Sequence, residues 1–406
     1  MNTSTNAPAS ISPGMVWLLA MSTGLIVANL YYAQTLVGPI AAGTGLSAAA
    51  AGLIVTLTQA GYCLGLLFIV PLGDLLENRR LIVTALLVTA VALLAAALAP
   101  NAAVFLVAAL CIGLGSVAAQ VLVPFAAHLA PEATRGHIVG KVVSGLLVGI
   151  MLARPAASIV ADHFGWHSIF YLGAGAMLML ALLLWRRLPR RVPAATLAYG
   201  PLLASMWHLL VGTPVLRRRA AYHAGMFGAF SLFWTTVPLV LASSFGLSQT
   251  EIAIFALVGV AGAVASPVAG RLADAGHTRG ATTAALLLAI AAFALPLAVP
   301  GSGTPALAAL VLASVVLDMG VAANLVLGQR TIFALGAEVR SRLNGLYFSL
   351  FFAGGAFGSA SGAWMVASYG WTATLLLGAA LPLLALLYQL TDYLTARPGQ
   401  AKRTVS

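Results

Sequence analysis

Twelve apolar stretches, each about the length of a helix that crosses a lipid bilayer, follow one another along this chain of 406 residues. They lie near 15–39, 50–72, 81–99, 103–127, 139–161, 168–185, 222–242, 251–270, 281–299, 305–329, 345–368 and 371–391, here called stretches 1 to 12. A helix of about 20 apolar residues spans the hydrocarbon core, and lipid offers the backbone no hydrogen bonds, so each stretch must bond to itself as a helix. The chain is 61% hydrophobic and 7% charged, whereas an ordinary soluble domain is about 25% charged. A water-soluble fold is excluded. The expectation is an all-α membrane protein with twelve transmembrane helices.

The net charge of +11 does not indicate a nucleic-acid partner. Nineteen of the 20 Lys and Arg residues fall in the gaps after even-numbered stretches, at the very start of the next stretch (Lys141), or in the tail, among them Arg79, Arg80, Arg135, Arg340 and the seven Arg residues between stretches 6 and 7. The odd-numbered gaps hold none. Positive residues stay on the cytoplasmic side, so both termini are expected inside a bacterial-type inner membrane, beside anionic headgroups. Residues 1–14 lack the positive charge of a secretory leader, so stretch 1 is expected to remain in the mature chain. Cys63 and Cys111 lie inside apolar stretches and imply neither a disulfide framework nor a metal site. His163 and His167 are separated by Gly165, which breaks the helix between them, so they are not read as metal ligands.

The second half of the chain echoes the first. Asp74 after stretch 2 answers to Asp274 after stretch 8, Glu132 to Glu338, and Gly165-Trp166 to Gly370-Trp371, at offsets of 200, 206 and 205 residues. This predicts two six-helix halves, 1–185 and 222–406, joined by a linker at 186–221 that carries a helix near 201–210, read as a plain connector with an interfacial helix as the alternative. Tandem halves related by an axis along the membrane normal are a transporter architecture, with the site between the halves.

These residues resemble the major facilitator superfamily, and within it the twelve-helix drug:proton antiporter branch. The segment Gly270-Arg271-Leu272-Ala273-Asp274-Ala275-Gly276 is similar to the family's Gly-x-x-x-Asp-Arg-x-Gly signature, with Ala275 in place of the Arg. A worn copy keeps Asp74, Arg79 and Arg80 but has Val70 and Glu77 where glycines are usual. The resemblance implies a cytoplasmic gate formed by Asp74, Arg79, Arg135, Gly270, Asp274 and Arg340. The alternative for these residues is a set of solvated turns with topogenic arginines. Two features depart from the antiporter pattern: Ala109 occupies the position of an Arg usual on helix 4, and Arg154-Pro155 stands where helix 5 usually ends in Gly-Pro.

Arg154 is the one basic residue deep inside an apolar stretch, and Asp318 is the one acidic residue deep in a stretch. Counted from the outer ends of their stretches they lie roughly 10 and 20 Å deep. Neither has a charged counterpart in the other half, since an offset of 205 residues sets Arg154 on Ser359 and Asp318 on Gly113. Intramembrane charges are expensive and are retained for function. The two residues are therefore the expected proton and charge relay, the alternative being a buried structural pair.

Asn29, Tyr32, Gln59, Gln120, Trp234, Thr235 and Gln329 are the polar and aromatic candidates for lining a substrate cavity. Taken together, these features predict a monomeric secondary transporter without cofactor or catalytic cluster, exporting a small organic compound against protons. An uptake carrier for an anionic solute held by Arg154 is the alternative, and a transport-inactive receptor or scaffold is the alternative of another class.

Overall fold

The computed structural model describes residues 11–193, 198–336 and 339–395. The expected positions of Glu338 and of the basic tail residues Arg397, Lys402 and Arg403 lie outside them. The helices are α1 (Pro13–Ala28), α2 (Val37–Thr44), α3 (Leu53–Phe68), α4 (Asn78–Ala97), α5 (Ala102–Ser116), α6 (Ala118–Leu129), α7 (Arg135–Phe164) and α8 (His167–Arg187). They are followed by α9 (Tyr199–Gly212), α10 (Pro214–Phe245), α11 (Gln249–Val258), α12 (Ala265–Asp274), α13 (Thr278–Ala298), α14 (Thr304–Phe333) and α15 (Arg340–Thr395).

Among the described residues, eleven helical spans are long and apolar enough to cross a membrane. The last of them runs over 53 residues. It is interrupted at Gly370, whose φ of 80° and ψ of −177° are open to glycine and not to a helix. It therefore supplies the eleventh and twelfth crossings. Where the chain must stop a helix it uses the same residue: Gly45, Gly165 and Gly246 end α2, α7 and α10 at positive φ. Where it must start one, Ser12 caps α1 ahead of Pro13, and Asn101 caps α5 by accepting from the Val104 N–H.

Two compact units are formed. Unit 1 comprises Met1–Ser47, Leu53–Ser205 and Ser248–Leu257, and unit 2 comprises Ala48–Gly52, Met206–Leu247 and Val258–Ser406. In unit 1, α1 and α7 cross in backbone contact. A Cβ at Gly145 would lie 2.2 Å from the Ala20 carbonyl oxygen, and one at Gly149 would lie 2.1 Å from that of Gly24. In unit 2, α10 and α15 repeat the arrangement, with Gly354 against Ala224 at 2.2 Å and Gly358 against Gly228 at 1.9 Å. Small residues at such crossings replace the hydrophobic drive that is missing between helices in lipid. This contact matches α7 to α15 with a shift of 209 residues, one helical turn more than the 205 read from Gly165 and Gly370. By this contact the counterpart of Arg154 is Ala363 rather than Ser359, and it is equally uncharged.

Two spans differ from continuous helices. Stretch 1 is not one helix, because α1 stops at Ala28 and a 3-10 turn at Tyr32–Thr35 intervenes before α2. Stretch 8 is likewise broken by a 3-10 segment at Gly259–Val264 between α11 and α12. The linker is also shorter than 186–221: α9 is present, but α10 starts at Pro214, so Arg217, Arg218 and Arg219 are helical rather than loop residues. Arg218 pairs with Asp392 at 2.9 Å, and Arg219 donates to Thr282 Oγ1 at 2.8 Å.

Candidate functional site

In unit 1 the break in the first span brings polar side chains onto Arg154. The 3-10 turn winds more tightly than an α-helix and points successive residues in new directions, which sets Gln34 and Thr35 against α7. Arg154 Nε donates to Gln34 Oε1 at 2.8 Å, and its guanidinium lies 5.5 Å from the centre of the Tyr31 ring. The Thr35 hydroxyl donates to the Arg154 carbonyl at 3.4 Å. All four residues are buried, with Gln34 fully so and Arg154 4% exposed. Pro155 follows Arg154 within α7 and lacks an N–H, yet Arg154 Nε is directed to the first span and not to its own helix. Gln34 Nε2 and Ser158 Oγ, the latter one turn beyond Arg154, are buried without a hydrogen-bond partner among the described residues.

In unit 2 the acid is placed by a different device. Asp318 on α14 accepts a hydrogen bond from the Trp234 indole at 3.0 Å. Its side chain is packed against the second broken span: a Cβ at Gly259 would lie 2.8 Å from Asp318 Oδ2, and one at Gly262 would lie 2.4 Å from Asp318 Cβ. Gly113, the counterpart of Asp318 in unit 1, is itself the tight point of its crossing, where a Cβ would lie 2.0 Å from the Thr58 carbonyl oxygen. In unit 2 the glycines have passed to the neighbouring segment, and this makes room for a carboxylate.

A stack of aromatic rings leads along α10 and α15 to Trp234. The Tyr347 and His223 rings lie 5.3 Å apart, His223 and Phe351 4.5 Å, Phe227 and Phe351 3.6 Å, and Phe227 and Phe230 5.2 Å, all within 18° of parallel. Trp234 follows Phe230 at 6.4 Å in a tilted contact. His223 is fully buried, with its Nδ1 2.8 Å from Asn324 Nδ2. His223 escapes a sequence reading that starts the seventh span at 222, because that boundary puts it at a helix end. Pro214 and the helical Arg217–Arg219 segment are the signals that would have moved it inward.

The remaining expected cavity residues are distributed over local contacts. Gln120 Nε2 donates to the Tyr62 hydroxyl at 3.0 Å, and Gln59 is buried on α3. Asn29 turns to α8, where it meets Met177 Sδ at 3.4 Å, and Gln329 donates to Asn344 at 3.4 Å. Thr235 is fully buried with its hydroxyl unpartnered among the described residues. Tyr32 lines a lateral groove of about 570 Å³ between α1 and α7, together with Trp17, Met21 and Lys141.

Asp274 pairs with Arg330 of α14 rather than with the arginines of its own loop. Gly270 leaves Arg330 room to reach it, since a Cβ there would lie 3.4 Å from the guanidinium. Arg79 donates to the carbonyls of Trp185 and Leu188 at 3.3 and 3.4 Å and covers the Trp185 ring. Arg191 clasps the same loop through Asn78 by two hydrogen bonds of 2.9 Å. Arg135 donates to the Ala127 carbonyl at 3.1 Å and Arg340 to that of Phe333 at 3.3 Å, while Asp74 is exposed. No group of three or more His, Cys, Asp or Glu residues fit to hold a metal occurs among the described residues.

A helical chain of twelve crossings, duplicated in sequence, with broken spans beside its two intramembrane charges, defines a membrane transporter of the tandem-repeat class. The chain belongs to the Major Facilitator Superfamily, which it matches twice, over residues 16–231 and 220–405. It is 40% identical over 378 residues to an uncharacterized transporter, YgaY, of Escherichia coli, covering 93% of this chain and 95% of that one. A probable transporter of Streptomyces coelicolor is 33% identical, with 88% and 86% covered. A bacterial homolog of the human lysosomal transporter Spinster, in an inward-facing and occupied conformation, superposes with a TM-score of 0.75 at 16% identity, covering 94% of this chain and 97% of that one. The protein is a multi-pass secondary transporter and not an enzyme.

Proposed function

We propose that the protein is a proton-coupled antiporter that exports a small organic compound by alternating access, with Asp318 as its proton site. The observation that carries this reading is the placement of Asp318. It is the one carboxylate deep in a span, it accepts from an indole that can only donate, and it is packed against the 3-10 segment that breaks the eighth span. A carboxylate so placed can exchange a proton when that segment moves. The ion pair of Asp274 with Arg330 and the Arg79 contacts serve as the cytoplasmic latches of their own units. Local charge pairs of this kind bias conformational switches.

Purified protein in liposomes, offered a panel of labelled organic solutes with and without an imposed pH gradient, tests the reading. Wild type should move at least one solute against the inward proton gradient, and Asp318→Asn should lose that dependence. Gradient-driven export that survives in Asp318→Asn would refute the assignment. A second reading, an uptake carrier for an anionic solute, is favoured by the Arg154–Gln34 contact. In that case the same experiment shows accumulation instead of export.

A further inference from the structure

The polar centre of unit 1 has a chemistry of its own that points to the class of solute. We propose that Arg154, Gln34 and Ser158 form an oxyanion-binding centre, and that the transported compound is an organic anion whose carboxylate is held there. The inference rests on the transport reading but not on its direction.

The argument starts from Gln34. A glutamine side chain carries one acceptor oxygen and a donor nitrogen with two N–H groups. In unit 1 the oxygen is spent on Arg154 Nε at 2.8 Å. The nitrogen is fully buried and has no partner among the described residues. An unmatched buried donor is costly, so its persistence calls for a group that meets it in another step of the cycle. Ser158 adds a second buried, unmatched hydroxyl, and it sits four residues after Arg154 on the same face of α7. Arg154 itself brings the planar fork that matches carboxylate oxygens. Tyr31 under the guanidinium and Gln34 at its Nε edge fix the plane of that fork.

What the centre presents is therefore a set of donors around a fixed positive charge, with its side-chain amide acceptor already used. A neutral amide or sugar needs donors and acceptors together, whereas a carboxylate needs donors and positive charge. The turn at Tyr32–Thr35 that carries Gln34 is short and non-α-helical, and broken helices at depth are where transporters of this architecture meet charged solutes.

The test uses the full chain in detergent, with thermal unfolding followed across a panel of small aliphatic and aromatic monocarboxylates and their matching primary amides. At least one acid should raise the melting temperature while its amide does not. Arg154→Gln should weaken that acid's affinity about tenfold or more, as expected for the loss of a hydrogen bond to a charged group. Because that variant places a neutral group in a charged niche and can fail to fold, Gln34→Glu is the companion. It supplies a built-in carboxylate to Arg154, so it should fold and lose the response to added acid. Ser158→Ala should weaken binding by less. Equal responses to acid and amide, no response to any acid in the panel, or an unchanged acid response in Gln34→Glu would overturn the proposal. An acid that binds wild type but is not moved in liposomes, while another solute is, would overturn the substrate assignment and leave only an anion site. Movement of no solute at all would tell against the transport reading on which the proposal rests.

Discussion

The two units share a crossing and differ in the charge they place near it. In both, a pair of glycines lets an early helix touch a later one backbone to backbone: Gly145 and Gly149 on α7 against α1, Gly354 and Gly358 on α15 against α10. In both, a span is broken by a 3-10 segment, Tyr32–Thr35 in unit 1 and Gly259–Val264 in unit 2. Beside the first break lies a cation bonded to an amide, and beside the second a carboxylate bonded to an indole. The features that recur are close crossings and broken spans, and the features that do not recur are the two charges to which the proposed function gives the chemistry. Duplication kept the frame and let the two charges diverge.

The recurring part is broken most severely by filling the glycine crossings. Gly149→Val and Gly358→Val each drive side-chain atoms into a carbonyl that sits about where the Cβ would be. Each should cost about 1–3 kcal/mol or more, read as lost thermal stability and lost accumulation in the membrane. The two effects should be alike, because the crossings are alike. A benign result in one unit alone would mean that the repeat is not structural.

The diverging part is probed by Trp234→Phe, which keeps the ring in the aromatic stack and removes the only indole donor described on Asp318. Proton-driven flux should fall about tenfold, the scale of one hydrogen bond to a charged group, with folding preserved. Asn324→Leu is the structural contrast in the same unit. It leaves His223 Nδ1 without its amide and should cost about 0.6 kcal/mol, the average for such interhelical bonds, without altering proton coupling. A changed coupling ratio in that variant would move His223 into the mechanism.

The smallest effect is expected at the cytoplasmic loops. Asp274→Asn removes an ion pair whose side chains are 67% and 47% exposed, and pairs of that kind are worth about 0–1 kcal/mol. Arg79→Gln should be the more damaging of the two. Its side chain is 12% exposed, covers Trp185, and bonds two carbonyls at the end of α8. Thermal unfolding of the two variants side by side checks the order.

How much of this was legible in the sequence follows from what hydropathy can report. Apolar length gave the spans, and the repeat of Asp74 with Asp274 and of Gly165 with Gly370 gave the two-fold organisation. The breaks were not legible, because a 3-10 turn inside an apolar run leaves the run apolar. Gln34 was visible as a polar residue near Tyr32, but only the break at Tyr32–Thr35 turns it onto Arg154. The partner of Asp274 was likewise hidden: Arg330 lies in the last turn of α14 and reads as a topology signal until the fold brings it across. His223 was lost to a helix start placed two turns late, since Arg217–Arg219 look like a loop to any hydropathy window.

The proposed cycle divides the labour, with the proton handled by unit 2 and the solute by unit 1. It is tested most directly by recording solute movement and proton movement together in liposomes holding Asp318→Asn or Arg154→Gln. Asp318→Asn should still bind and exchange the solute but carry no protons with it, while Arg154→Gln should lose the solute itself. Proton movement still coupled to solute in Asp318→Asn, or undiminished solute binding in Arg154→Gln, would contradict the account.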